Sequence, residues 1–245
     1  MNKENLLSKI SKMSEEELMD LARDTSDVET LNILAENQNF KVRCTVVGNK
    51  NTPVEKLTVL AQDEDMWVRQ TVALNENTSV DALAMLAQDE KWQVRRAVAK
   101  NKNTSVSTLA MLASDKEAWI RWAVARNENT PKEALAVLAN DIDWQVRVAV
   151  AENESISADV LAMLAKDKDS DVRRTVANNR NTSADVLAML AKDEYIIVRC
   201  AVAENENTPK EALVTLSKDN NEWVSERAEE ALKEHTVKKE QNIER

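Results

Sequence analysis

The chain has 245 residues, a formal charge of −10, one Gly and three Pro. So little turn punctuation, with Ala, Leu, Val, Lys and Glu dominant, suits short helices joined by tight connections rather than a mixed fold. The acidic balance disfavours nonspecific attraction to phosphate backbones or anionic membranes, and no apolar run is long enough to span a bilayer.

The opening segment, MNKENLLSKISKMSEEELMD, has acidic residues where a signal peptide would be apolar, so a cytoplasmic protein is expected. Residues 1–25 read as an N-terminal helical cap. Ser14 and Glu17 have capping-box spacing, and Leu18 and Leu21 are placed inward. From Ser26 the chain repeats every 26 residues without insertion, with further copies starting at Thr52, Thr78, Thr104, Thr130, Ile156, Thr182 and Thr208. One Leu column runs from Leu31 through Leu57 and Leu83 to Leu213, and a second from Leu34 to Leu216. The eight copies fill residues 26–233.

Each copy divides into two helices. In the second copy, Thr52 is read as the N-cap, Pro53 as the first helical residue and Glu55 as the capping-box acid. Val54, Leu57, Leu60 and Ala61 form the expected buried stripe. That spacing fits a period of three as well as an α-helix, so the first helix is open between α and 3₁₀. Val68, Thr71, Val72 and Asn75 have α-helical spacing in the second helix. In the last copy Ala231 replaces the Asn, letting the helix run through Leu232. Residues 234–245 are expected to be a charged, disordered tail.

A single copy buries too few side chains to offset the entropy of ordering itself, so copies must stack and the ends must be capped. The expected architecture is all-α, an α-solenoid (superhelix) of eight helix-pair repeats with helical caps. The pattern N-x-N-T-P-x-x-L-x-x-L-A-x-D-x-D-W-x-V-R-x-x-V-A resembles the leucine-rich repeat variant family over residues 26–230. Its D-x-D-x-x-V-R-x-x-V-A part is similar to the second helix of HEAT repeats. The resemblance implies a curved superhelix of two helical layers, one of which can be 3₁₀, and binding rather than catalysis. The Cys-rich iron–sulfur segment of some leucine-rich repeat variant proteins has no counterpart here.

Several columns could carry chemistry. Asn75, Asn101, Asn127, Asn153 and Asn179 could line a polar groove. The structural reading is that each ends a helix in the left-handed conformation and bonds the next loop. Arg69, Arg95, Arg121, Arg147 and Arg173 could bind phosphates. An Asp column (Asp63, Asp89, Asp115, Asp141, Asp167, Asp193) accompanies them, and the HEAT resemblance implies an Asp–Arg ladder between repeats instead. Cys44 and Cys200 lie six repeats apart, too far for a disulfide. His235 is the sole histidine, and one glycine cannot make a phosphate loop, so no catalytic residue, metal site or cofactor is expected.

The columns equivalent to residues 66, 67, 70 and 74 face outward and vary between copies. All six tryptophans fall on that arc. The expected function is a non-catalytic protein- or peptide-binding scaffold. Its contact residues are Met66, Trp67, Trp92, Arg96, Trp119, Trp122, Arg126, Trp144, Val148, Arg174, Ile196 and Ile197. The alternative is a nucleic-acid-binding solenoid that stacks bases on Trp and meets phosphates with the Arg column. In a third reading the arc seals a homodimer. The sequence leaves the oligomeric state open.

Overall fold

The computed structural model describes residues 3–243, with side chains described over residues 4–234. All its regular elements are helices. Two cap helices, α1 (Lys3–Ile10) and α2 (Glu15–Asp24), precede four helix pairs: α3 (Val28–Leu34) with α4 (Phe40–Gly48), α5 (Val54–Leu60) with α6 (Met66–Leu74), α7 (Val80–Leu86) with α8 (Trp92–Lys100), and α9 (Val106–Leu112) with α10 (Ala118–Ala125). Four more follow: α11 (Lys132–Leu138) with α12 (Trp144–Glu152), α13 (Ala158–Leu164) with α14 (Ser170–Asn178), α15 (Ala184–Leu190) with α16 (Ile196–Glu204), and α17 (Lys210–Leu216) with α18 (Glu222–Ile243). The chain divides into two compact units, Met1–Asn129 and Thr130–Arg245. Each is an all-α solenoid of four stacked repeats.

The first helix of each repeat is α-helical throughout. In α5, Leu57 N–H donates to Pro53 O and Ala61 N–H to Leu57 O, both i to i−4 bonds. The 3₁₀ character that the spacing allowed is found at the two ends, where Lys56 donates to Pro53 at the entry and Gln62 and Asp63 donate to Val59 and Leu60 at the exit, each three residues back. Leu57 and Leu60 are buried, whereas Val54 is exposed, so the predicted stripe loses its first member. Val54 is the first residue of a short helix, where no preceding turn covers it.

The N-cap lies one residue later than the sequence suggests. Pro53 is itself the N-cap, because its carbonyl accepts the first helical bond, and Glu55 closes no capping box. Where Ser occupies this position, as at Ser79, Ser105, Ser157 and Ser183, its hydroxyl accepts from the backbone three residues on. The Thr column is instead buried. Thr78 and Thr104 donate at 2.6 Å to Val72 O and Val98 O at the end of the preceding helix. They satisfy orphan carbonyls rather than orphan amides.

Within each unit the second helices pack directly on one another, α4 on α6 and α6 on α8 in the first, α12 on α14 and α14 on α16 in the second. Ala73, Ala99, Ala151 and Ala177, all fully buried, make that approach possible. Val68 and Val72, with their equivalents, turn inward against the Leu pairs of the first helices. The N-terminal cap keeps the predicted Ser14–Glu17 box, but Ala22 rather than Leu21 is the buried residue beside Leu18.

At the other end, the structure differs from the expected disordered tail. Helix α18 continues to Ile243; the Asn that stops the other second helices is replaced by Ala231, and the Lys, Glu and Gln that follow favour helix. Residues 244–245 lie outside the described residues. No helix among those described is long and apolar enough to cross a membrane.

Candidate interaction surface

Two internal ladders hold the repeats in register and decide which side chains remain for a partner. Arg43, Arg69, Arg95, Arg147, Arg173 and Arg199 each reach the Asp twenty residues on, in the next repeat. Arg95 is typical. Its Nε and Nη2 donate to Asp115 at 2.6 and 3.1 Å, and its Nη1 donates to Asp89 O and Glu90 O at 2.7 and 3.2 Å. Arg121 spans the carbonyls of Asp115 and Lys116 in the same way. The guanidiniums of Arg43, Arg95, Arg147 and Arg173 are buried and committed, so this column offers no row of phosphate hooks.

Burial pushes the carboxyls of Asp89, Asp115, Asp167 and Asp193 up. The Arg hydrogen bond, a loop backbone N–H and the cationic charge outweigh it, leaving all four below the ordinary aspartate value. Asp219 is lowered chiefly by its bond from Arg199.

The Asn ladder works through carbonyls. Asn101 Nδ2 donates to Ala73 O at 2.8 Å and Asn75 O at 2.9 Å, while its Oδ1 accepts from Asn103 N at 2.8 Å. Asn75, Asn127, Asn179 and Asn205 reach the preceding repeat likewise, and Asn49 reaches Ala22 O of the cap helix α2. The conformation differs from the expected left-handed one: Asn75 has φ −72° and ψ 129°, and no described residue has positive φ. An extended Asn can turn its amide back across the stack, which a left-handed cap cannot.

The outward arc is what remains. Trp67, Trp92, Trp119, Trp144 and Trp223 are 53, 37, 51, 41 and 67% exposed, so these indoles are not interior packing. In the first unit they converge with basic side chains. Trp119 and Trp122, one turn apart on α10, pack edge to face with centroids 6.5 Å apart and planes at 74°. The Arg96 guanidinium, from α8, lies 5.8 Å from the Trp119 ring and 6.0 Å from the Trp122 ring. Arg126 stacks on Trp122 at 5.1 Å. Each such contact contributes about 0.5–2 kcal/mol, depending on desolvation. Arg96 Nε is buried without a hydrogen-bond partner, as is Gln70 Oε1 at the same register of the preceding repeat. Met66 is half-buried and Trp67 exposed at the start of α6.

A cavity of about 450 Å³ opens beside Trp122, lined also by Lys100, Lys102, Arg126 and Asn127 and by one acidic residue, Glu128. Lys100 and Lys102 were not among the sequence candidates. Lys100 occupies the same variable column as Leu74 and Arg126, so its register was the available signal. Lys102 pairs with Glu76 at 2.8 Å.

The second unit is different. Trp144, Ile196 and Ile197 are exposed and Val148 is half-buried, but no ring–ring pair forms there among the described residues. Arg174, expected to give charge selectivity, pairs with Asp171 at 3.0 Å on its own helix. Tyr195 lies 5.3 Å from the Arg173 guanidinium. Two further cavities in this unit have other linings. One of about 300 Å³ meets Glu152, Glu154 and Asn178, and one of about 510 Å³ meets Glu204, Glu226 and Glu230.

Sequence reasoning missed one surface. Val59, Met85 and Met111 in the first unit, and Val137, Met163 and Met189 in the second, are exposed apolar residues at one register of the first helices. The two thiols, at Cys44 and Cys200, are unbridged and half-buried, and burial raises the pKa of each. No group of His, Cys, Asp or Glu able to hold a metal occurs among the described residues.

Comparison with solved structures places the architecture. The chain is similar to a leucine-rich repeat variant described as having a novel repetitive structural motif, at 27% identity, covering 91% of this chain and 88% of that one with a TM-score of 0.67. Similarity also extends to the Escherichia coli protein YibA (18% identity, 95% and 97% covered, TM-score 0.43) and to a designed armadillo repeat protein (16%, 94% and 98%, 0.30). No protein-family model matches the chain, and no curated protein does.

Proposed function

We propose that this protein is a non-catalytic scaffold of the cytoplasm that binds a protein or peptide on the outward face of its second helices. One observation carries the reading. On a scaffold whose inward columns are constant, five of the six tryptophans are exposed on the variable columns, and half-buried Trp122 packs there with Trp119 and Arg96. Rigid, pre-positioned aromatic and arginine side chains are the usual anchors of interfaces, because little conformational entropy is lost when a partner covers them. Helical-repeat folds present such faces routinely.

Nucleic-acid binding through the Arg column is disfavoured, since those guanidiniums already hold Asp and backbone carbonyls. The test is affinity capture from the native cell with wild-type protein and with Trp119→Ala/Trp144→Ala, helicity being checked by circular dichroism. The expected result is a partner retained by wild type and lost by a folded double variant. A partner held equally by both refutes the assignment.

A further inference from the structure

Among the described residues, Arg96 makes no hydrogen bond and no ion pair, only its contacts with the two indoles. Its neighbours in the helical stack show how unusual that is. Arg43, Arg69 and Arg95 all hold a carboxylate bidentately. Lys100, one turn along α8, likewise has no ion pair, although the chain carries ten more formal negative than positive charges. Both cations border the Trp122 surface, and the cavity there has Lys100 and Arg126 on its rim. A guanidinium bordered by two indole rings is restrained in position, so ordering it against a carboxylate costs less entropy.

We infer that the α8–α10 face takes a short acidic peptide with an aromatic or large apolar side chain beside its carboxylates. One carboxylate meets Arg96, another meets Lys100, and the apolar side chain enters the cavity against Trp122. This rests on the scaffold reading above and narrows it to a partner class. Three helices with axes about 8–10 Å apart, each about 10 Å across, span about 26–30 Å, which an extended chain rising about 3.3 Å per residue crosses in roughly eight residues over α6, α8 and α10. A long polyanion such as single-stranded nucleic acid fits less well. Glu76 already pairs with Lys102 and Glu128 lines the cavity, which limits the basic patch, and a chain at −10 repels an extended row of phosphates.

The test measures fluorescence anisotropy of labelled synthetic peptides of about eight residues on the full-length protein at low and high salt. One peptide alternates Glu with Phe, a second Gln with Phe, a third Lys with Phe, and an oligothymidylate serves as the nucleic-acid probe. The expected result is saturable, salt-sensitive binding of the Glu/Phe peptide, weakened about tenfold or more by Arg96→Glu/Lys100→Glu. The reversed variant should gain the Lys/Phe peptide, which also shows that it is folded. Trp122→Ala should weaken the Glu/Phe and Gln/Phe peptides alike.

The inference is overturned if no peptide binds, if Gln/Phe or Lys/Phe binds wild type as tightly as Glu/Phe, or if the oligonucleotide binds more tightly than any peptide. A cellular partner that is still lost on Trp119→Ala/Trp144→Ala would then leave the scaffold reading standing without its acidic partner. A partner indifferent to those tryptophans would remove the scaffold assignment itself.

Discussion

Replacing Asn101 by Ala tests whether the Asn ladder is what couples one repeat to the next. Asn101 is 5% exposed and donates to two carbonyls of the preceding repeat. Asn75 O keeps a second donor, Thr78 N–H at 3.2 Å. Ala73 O sits at the end of α6 and has Asn101 as its one recorded donor, so the substitution orphans a buried carbonyl. Asn103 N–H loses its acceptor as well. An orphaned buried carbonyl costs about 1–3 kcal/mol, and each of the other two bonds about 0.5–1 kcal/mol net, giving a loss of about 2–5 kcal/mol. Urea unfolding followed by far-ultraviolet circular dichroism reads it, with Asn103→Ala as the control. The Asn103 side chain makes a single exposed bond to Glu76 O, and its loss should stay within about 0.5 kcal/mol. Because the coupling is between neighbours, the Asn101 variant should also broaden the transition or split it in two. A loss below about 0.5 kcal/mol with an unchanged slope would refute the reasoning.

Three further outcomes rest on contacts of the same kind. The folded-state pKa values of Asp89, Asp115, Asp167, Asp193 and Asp219 are depressed, so their contribution is complete above the unfolded carboxylate pKa of about 4 and is lost as pH falls through the folded values. The urea midpoint should therefore hold from about pH 8 to about pH 5 and fall below about pH 4; a midpoint unchanged down to about pH 3 would contradict an ion-pair role. Thr104→Val, which keeps the buried shape and removes the bond to Val98 O, should cost about 1 kcal/mol in the same unfolding assay. Ser105→Ala, which removes the N-cap one residue later, should cost about the same; a neutral result at Thr104 would mean that Val98 O is served well enough by Asn101 N–H.

The period, the two Leu columns and the outward arc were legible because repetition supplies its own alignment. Eight copies average away the ambiguity that one short helix leaves. Fine placement was harder where two residue types satisfy the same local preference. Thr52 before Pro53 has every attribute of a cap, yet it is buried and its hydroxyl donates back to Val46 O of the preceding helix. The left-handed conformation expected for Asn75 failed for a related reason: the Asn amide is used across the stack, which local sequence does not display. In the candidate surface, a helical wheel could place Arg96, Trp119 and Trp122 on one arc. It could not show that a long side chain of α8 reaches between two rings of α10. The engagement of Arg174 was readable, since Asp171 stands three residues before it on the same helix.

Arg95 and Arg96 show why the register, more than the composition, governs what this surface can bind. They are consecutive residues, and about 100° of rotation separates them around α8. That rotation turns Arg95 toward the next repeat, where Asp115 takes two of its N–H groups, while the carbonyls of Asp89 and Glu90 in its own repeat accept from a third nitrogen. It turns Arg96 onto the variable arc, where the facing column offers aromatic rings and no carboxylate. The first arginine is therefore a structural strut whatever partner is present, while the second keeps an unmatched charge. A count of arginines against acidic residues predicts a uniformly anionic protein. Cancellation inside the ladder removes six cations and six carboxylates together. What a partner meets is the remainder, and on the α8–α10 face of the first unit that remainder is positive and aromatic.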